Sequence, residues 1–328
     1  MKKILFRSVP FAKAEVTLAL EAGADGLIVP AENLEAARAL ARCAVLDAAE
    51  IPVIRLAGRE DEEKAANLLD KGNMVMLCRG WEIIPVENLL AHEDVAGRQG
   101  QLALEVDTAQ EAILAAGILE KGVDMIVVSG AGVAAIKDIA AEIRRENGRL
   151  ALSEAVITGI TPVGIGHRVC VDTLSLFKTG QGMLTGNSAA FTFLVNAETE
   201  HNEYVAARPF RINAGAVHAY ACMPGDKTCY LEELDTGAQV LIVDEEGKTS
   251  TAIVGRVKVE KRPMLLLEAE SGGKRGTVFL QNAETIRLVQ PGGTAASVVT
   301  LAPGDKIVCR VDTAGRHFGL RIKEEILE

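Results

Sequence analysis

The feature that most constrains the fold is the alternation in the first half of the chain. Short apolar runs recur between longer Ala- and Glu-rich stretches. The runs Ile4–Arg7, Gly26–Val29, Pro52–Leu56, Met74–Cys78, Leu102–Val106, Asp124–Val128 and Leu150–Leu152 read as strands. Helical patterns lie between them at Ala12–Ala22, Ala31–Ala41, Glu62–Leu69, Thr108–Glu120 and Val133–Asn147. Apolar strands alternating with helices of this length predict βαβ units and a parallel sheet, either barrel-like or open. Ligands of such sheets sit at the carboxyl ends of the strands, where Arg79, Glu105, Asp107, Ser129 and Glu154 fall.

The helical period stops near residue 156. Beyond it, Gly-Asp, Gly-Gly and Pro-Gly turns separate β-branched runs: Val240–Val243, Thr251–Val259, Met264–Glu268 and Ile307–Val311. The expected organisation is an α/β N-terminal half over residues 1–156 and a β-rich C-terminal domain over 157–328. A local echo occurs within the second half. Leu234-Asp-Thr-Gly and Leu301-Ala-Pro-Gly each set a leucine before a turn and a strand.

Charge removes several functions. The net charge of -10 over 328 residues, with one Trp, argues against nucleic-acid binding, which needs excess cations and stacking aromatics. No stretch approaches a membrane span and the amino-terminal apolar run is too short for a signal peptide, so a cytoplasmic protein is expected. Six cysteines and five histidines show no zinc spacing. A divalent metal assembled from distant residues, and a homo-oligomer, stay open.

Two segments concentrate chemistry. In Arg208-Pro-Phe-Arg211-Ile-Asn213-Ala-Gly-Ala-Val-His218-Ala-Tyr220, polar groups are set among small apolar residues, so the segment is no solvated charge run. Arg208 and Arg211, with no acid between Ala206 and Tyr220, make a clamp for a carboxylate or phosphate. Upstream, His167-Arg168-Val-Cys-Val-Asp172 carries a cation–acid pair, and Lys178 precedes the glycines Gly180, Gly182 and Gly186. A third segment imitates a dinucleotide fingerprint. Gly130 and Gly132 follow the strand Asp124–Val128, and Glu154 lies where an acid would hold a ribose.

Four segments also carry a family resemblance: Trp81-Glu-Ile-Ile-Pro85-Val-Glu87-Asn88, Arg168 through Gly182, Arg208 through Tyr220, and Leu280-Gln281-Asn282-Ala-Glu284-Thr-Ile-Arg287. Arg316-His317-Phe-Gly fits as well. Together they resemble the archaeal-type 3-dehydroquinate synthase family, also called 3-dehydroquinate synthase II. His167, Leu174 and Asn196 stand where that family usually carries Asp, Cys and His.

The resemblance implies an oxidoreductase of the shikimate pathway that feeds aromatic amino acid biosynthesis. Its expected reaction is NAD-dependent oxidative deamination and cyclisation of 2-amino-3,7-dideoxy-D-threo-hept-6-ulosonate to 3-dehydroquinate. The alternative is a metal-assisted, redox-neutral 3-amino-4-hydroxybenzoate synthase, the activity of a related branch. On the first reading, Arg208, Arg211 and Arg168 bind the amino-sugar acid. Lys178 and His218 move protons, with Lys178 partly desolvated, and Asp172 joins the catalytic set. Asn213 or His218 donates to the ketone oxygen. Gly180, Gly182 and Gly186 offer backbone N–H groups to cofactor or substrate, and Gly130, Gly132 and Glu154 bind NAD.

Overall fold

The computed structural model describes residues 2–96, 99–119, 121–145, 148–201, 203–312, 315–317 and 320–322. The chain divides into two compact units, 1–144 and 145–328.

The first unit holds seven strands, β1 (Lys3–Arg7), β2 (Gly26–Val29), β3 (Ala44–Asp47), β4 (Val53–Ile54), β5 (Met74–Leu77), β6 (Gln101–Val106) and β7 (Met125–Ser129). All pair in parallel, in the order β3-β2-β1-β7-β6-β5-β4. That order follows the chain cyclically, as in a barrel, with one seam between β3 and β4. The strand centres are apolar because both faces are covered, and polar residues such as Lys3, Asp47 and Glu105 fall at or next to strand ends. Leu5, Ile28, Met76, Ala103 and Val127 meet on one face. Ile4, Phe6, Leu27, Leu104 and Val128 pack on the other, against helices α1 (Lys13–Glu21), α2 (Leu34–Leu40), α3 (Arg59–Asp70), α4 (Ile83–Ala96), α5 (Ala109–Gly117) and α6 (Ile136–Arg145). Phe6 is fully buried; such a side chain contributes about 1.5–3 kcal/mol.

Several boundaries differ from the periodicity. The helix ends expected at Glu120 and Asn147 lie outside the described residues. Helix α5 starts after Thr108, whose hydroxyl accepts from the Glu111 backbone N–H at 3.2 Å, an N-cap that fixes the first turn. Strand β3 and helix α4 were not anticipated. Pro85 falls in the first turn of α4, where a missing N–H costs nothing. Leu150–Leu152 forms no strand; the next strand begins at Ser153, in the second unit.

That unit is antiparallel. Its strands are β8 (Ser153–Thr173), β9 (Gly182–Ser188), β10 (Phe191–Asn196), β11 (Arg211–Ala216), β12 (Tyr220–Met223), β13 (Lys227–Tyr230), β14 (Gln239–Val243), β15 (Thr249–Ser271), β16 (Lys274–Gln281), β17 (Arg287–Val289), β18 (Ala295–Ser297), β19 (Lys306–Val311), β20 (Gly315–His317) and β21 (Leu320–Ile322). They form one branched 14-stranded sheet. Its spine is the pair β8–β15, in register from Thr173–Val254 to Val156–Glu270 with three bulges. The echoed leucines, Leu234 and Leu301, are both buried before turns closed by Ala238 N–H to Asp235 O and Asp305 N–H to Ala302 O, each 3.1 Å. No helix among the described residues is long and apolar enough to cross a membrane.

Candidate active site

Alternation along β8 builds a buried polar face. Val169 and Val171 enter the core, so Arg168, Cys170 and Asp172 project from the opposite face of the strand. Neighbouring strands continue the pattern in rows. Arg211 of β11 and Arg256 of β15 flank Asp172; Asn213 and Lys258 flank Cys170; Ala216 and Glu260 flank Arg168. Asp172 accepts from Arg211 Nε at 2.6 Å and Nη2 at 2.8 Å, and from Arg256 Nε at 2.9 Å. Burial opposes the charge on Asp172, but these bonds win and hold its pKa below the usual carboxylate range. Glu260 takes Arg168, Lys258 at 3.1 Å and Arg262 at 2.9 Å. Five cations thus share two carboxylates. Arg256, Lys258 and Arg262 keep much of their side chains in solvent.

Two sequence expectations change here. Arg168 pairs with Glu260, not Asp172, because residues four apart on a strand stand ~13 Å apart whereas cross-strand partners touch. Arg208 and Arg211 do meet acids, which come from elsewhere in the chain. Arg211 is held by Asp172, and Arg208 Nη2 lies 2.7 Å from Glu198. Burial pushes the Glu198 pKa up, with Arg208 and Arg211 pulling it back. Burial also raises the Cys170 thiol to about 11, so it stays protonated. All six cysteines are free.

Strand β16 lines one border of this face. Its alternate residues Thr277, Phe279 and Gln281 are half-buried, while Val278 and Leu280 enter the core. Gln281 Oε1 accepts from Arg168 Nε at 2.9 Å and from Asn213 Nδ2 at 2.8 Å. Phe279 meets the His218 ring edge-on, with centroids 5.5 Å apart. Thr277 Oγ1 accepts from Asn187, whose carbonyl lies 3.2 Å from His218 Nε2. Val163, Ile165, His167, Met264, Phe279 and His218 surround a cavity of about 250 Å³. Arg168, Asn213 and His218 are therefore brought together along one strip.

Lys178 and the glycines are placed otherwise. Lys178 is exposed, so the expected desolvation is absent. Phe177 N–H donates to Pro209 O and Val217 N–H to His167 O, which sets Lys178 and His218 beyond opposite ends of the β8–β11 ladder. The strand between them spans roughly 17 Å. Residues 180–186 do not form an open loop. Gly182 and Gly186 lie in β9 against β10, where an added Cβ would sit 1.8 Å from Val195 O and 2.3 Å from Phe191 O. Their small size serves strand approach. Gly180, at φ +86°, gives its N–H to Asn196 Oδ1 at 2.9 Å. Asn196 is thus a buried brace, and Leu174 projects outward, 76 % exposed.

The α/β unit gathers a separate cluster at its strand ends. Arg79 Nη2 donates to Ser129 Oγ at 2.8 Å and to Ser129 O at 3.1 Å, and lies 3.0 Å from Asp107. Ser129 Oγ donates to Glu105, and Trp81 Nε1 to Glu105 O at 3.0 Å. Arg79, Trp81, Glu105 and Asp107 face a cavity of about 600 Å³. Gly130 borders open space and Gly132 lies against Asp107. Glu154 is the second residue of β8, in the other unit, and pairs with Lys306 at 2.8 Å. Among the described residues, no group of three or more His, Cys, Asp or Glu is placed to hold a metal.

Sequence reasoning passed over Arg256, Lys258, Glu260 and Arg262. Their period-two spacing with Val257 and Val259 was the available signal. The family match supplied Gln281 without its role. Phe318 and Gly319 of the carboxyl-terminal motif lie outside the described residues.

The fold is that of a two-part chain, a parallel α/β unit followed by an antiparallel unit with a buried polar face. Residues 1–143 match the 3-dehydroquinate synthase II N-terminal domain and residues 154–328 the 3-dehydroquinate synthase II C-terminal domain. The chain belongs to the 3-dehydroquinate synthase II family. It is 45% identical to a 3-dehydroquinate synthase homolog of Persephonella marina and 44% identical to a 3-dehydroquinate synthase of Methanoregula boonei, each match covering 100% of both chains. A 3-dehydroquinate synthase of Methanocaldococcus jannaschii is 47% identical over 84% of this chain and 77% of its own.

Proposed function

We propose that this chain forms 3-dehydroquinate by NAD-dependent oxidative deamination and cyclisation of 2-amino-3,7-dideoxy-D-threo-hept-6-ulosonate. The observation that carries the reading is the strip joining Arg168, Gln281, Asn213 and His218 beside a surplus of cations. Lys258 and Arg262, exposed around Glu260, hold the substrate carboxylate. The apolar cavity beside His218 takes the methyl ketone end. There His218, oriented by Asn187 and Phe279, removes a methyl proton so that this carbon attacks the carbonyl left by deamination.

A bound nicotinamide cofactor would supply the hydride acceptor for the amine-bearing carbon, after which water would displace ammonia. The turn at Gly130–Gly132, with Asp107 and Trp81 beside the 600 Å³ cavity, suits a ribose-bearing ligand. Gly182 and Gly186 do not, because main chain fills the space where a cofactor would approach.

The test is to incubate the pure protein with the amino-heptulosonate and NAD, with and without chelator, following NADH absorbance and 3-dehydroquinate. Equal amounts of both are expected. In His218→Asn, NADH and ammonia should appear without 3-dehydroquinate. Absence of NADH from the wild-type protein, with metal-dependent release of 3-amino-4-hydroxybenzoate from the related phosphorylated amino-sugar acid, would establish the redox-neutral alternative instead.

A further inference from the structure

The carboxamide of Asn213 is the one group in the strip whose bonding is incomplete in a directional way. Asn213 is 3 % exposed, and its Oδ1 is buried without a hydrogen-bond partner. Its Nδ2 donates to Gln281 Oε1 at 2.8 Å. Chemistry fixes this orientation. A guanidinium has donors and no acceptor, so the Gln281 atom that meets Arg168 Nε at 2.9 Å must be the carbonyl oxygen. An oxygen there requires the facing Asn213 atom to be the NH2 group. Turning Asn213 would set oxygen against oxygen, and turning Gln281 would set its NH2 against an N–H. Arg168 is itself anchored by Glu260, and its Nη1 lies 2.7 Å from Cys170 Sγ.

We propose that Gln281 and Arg168 are positioning residues that hold Asn213 as an acceptor, so that Asn213 receives a hydrogen bond from an N–H or O–H of the substrate. This rests on the functional reading above and reverses the role the sequence suggests for Asn213, donation to a ketone oxygen. A site with a buried acceptor discriminates strongly, because a ligand that brings a carbonyl there leaves two oxygens unpaired. The amine or a hydroxyl of the amino-heptulosonate meets the requirement; its ketone does not.

The experiment compares Gln281→Leu with Gln281→Glu, whose carboxylate keeps an acceptor facing both Arg168 and Asn213. In the ¹⁵N-labelled full-length protein, the Asn213 side-chain amide signal is assigned by its loss in Asn213→Ser. It should shift in Gln281→Leu and hold its position in Gln281→Glu. In turnover, Gln281→Leu should raise the Michaelis constant for the amino-heptulosonate about tenfold, the effect of one lost hydrogen bond, with kcat changed less. Gln281→Glu should recover most of that loss. An unmoved amide signal in Gln281→Leu, or equal Michaelis constants in the two variants, overturns the proposal. No turnover by the wild-type protein overturns the functional reading instead, and the amide signal then decides the orientation by itself.

Discussion

The two units solve one problem, placing charge inside a sheet protein, in opposite ways. In the α/β unit both faces of the sheet are covered, so strand centres are apolar and polar groups gather where strands end. Arg79, Glu105 and Ser129 belong to the ends of β5, β6 and β7. In the antiparallel unit one face of β8 is core and the other polar along several residues, so Arg168 and Asp172 lie within the strand, crossed by partners on both sides. Charge at a strand end can turn toward water. Arg168, Arg211 and Asp172, buried within the ladder, cannot, and depend on their neighbours, while Arg256, Lys258 and Arg262 at its outer side still reach solvent.

The sharpest way to break that contrast is to remove one carboxylate from each cluster. Asp172→Asn strands the buried Arg211 and should destabilise by about 3–5 kcal/mol in urea unfolding followed by circular dichroism. Glu105→Gln leaves Arg79, already half in solvent, and should cost only about 1–2 kcal/mol. Equal losses would erase the distinction. Glycine substitutions divide the same way. Gly182→Ala drives a Cβ into Val195 O and should cost about 3 kcal/mol or more. Gly130→Ala meets open space and bears only the left-handed backbone, about 1 kcal/mol.

Acid titration sharpens the comparison within the second unit. The Asp172 pKa is lowered by folding, so its contribution is present above the ordinary carboxylate value of 3.8 and is lost as pH falls through the folded value. The Glu198 pKa is raised, so its contribution is present below its ordinary 4.5 and is lost as pH rises through the folded value. Unfolding free energies measured at a series of pH values should therefore decline less toward neutrality in Glu198→Gln than in the wild type. The smallest expected effect is that of Lys178→Met. This exposed site should change stability by less than about 0.5 kcal/mol, and NADH formation should persist, since Lys178 lies outside the strip. Loss of NADH in that folded variant would return Lys178 to the chemistry.

The sequence displayed the α/β unit well because its strands and helices differ in both length and composition. Arg79, Glu105, Asp107 and Ser129 were placed at strand ends, and the structure joins them. Helix α4 was hidden because Ile83 through Val86 reads as an apolar run interrupted by Pro85, without a polar stripe. In the second unit the segments holding Arg168, Arg211, Asn213 and His218 were visible as dense polar stretches. Their partners were not, because register is set by ladders between distant strands. Nothing near Arg211 in sequence points to Asp172, and nothing near Arg168 points to Glu260 or Gln281. The glycines misled for a related reason. Gly182 and Gly186 resemble a flexible loop in isolation, and only their pairing with β10 shows them pressed against main chain.

The pairing of β8 with β15 also bears on synthesis. Arg168 through Asp172 leave the ribosome well before Arg256 through Glu260, and the amino-terminal end of β8 waits for Lys306–Cys309 of β19 as well. The first unit closes on sequential neighbours, β1 with β2 and β5 with β6, and completes itself when β7 returns to β1. The second leaves its strand of arginine, thiol and aspartate without β11 until residue 216 is made and without β15 until residue 260 is made. Assembly over such sequence separations is slow. The nascent polar face therefore carries buried-type charges without their partners for some ninety residues of synthesis, from Arg168 to Glu260.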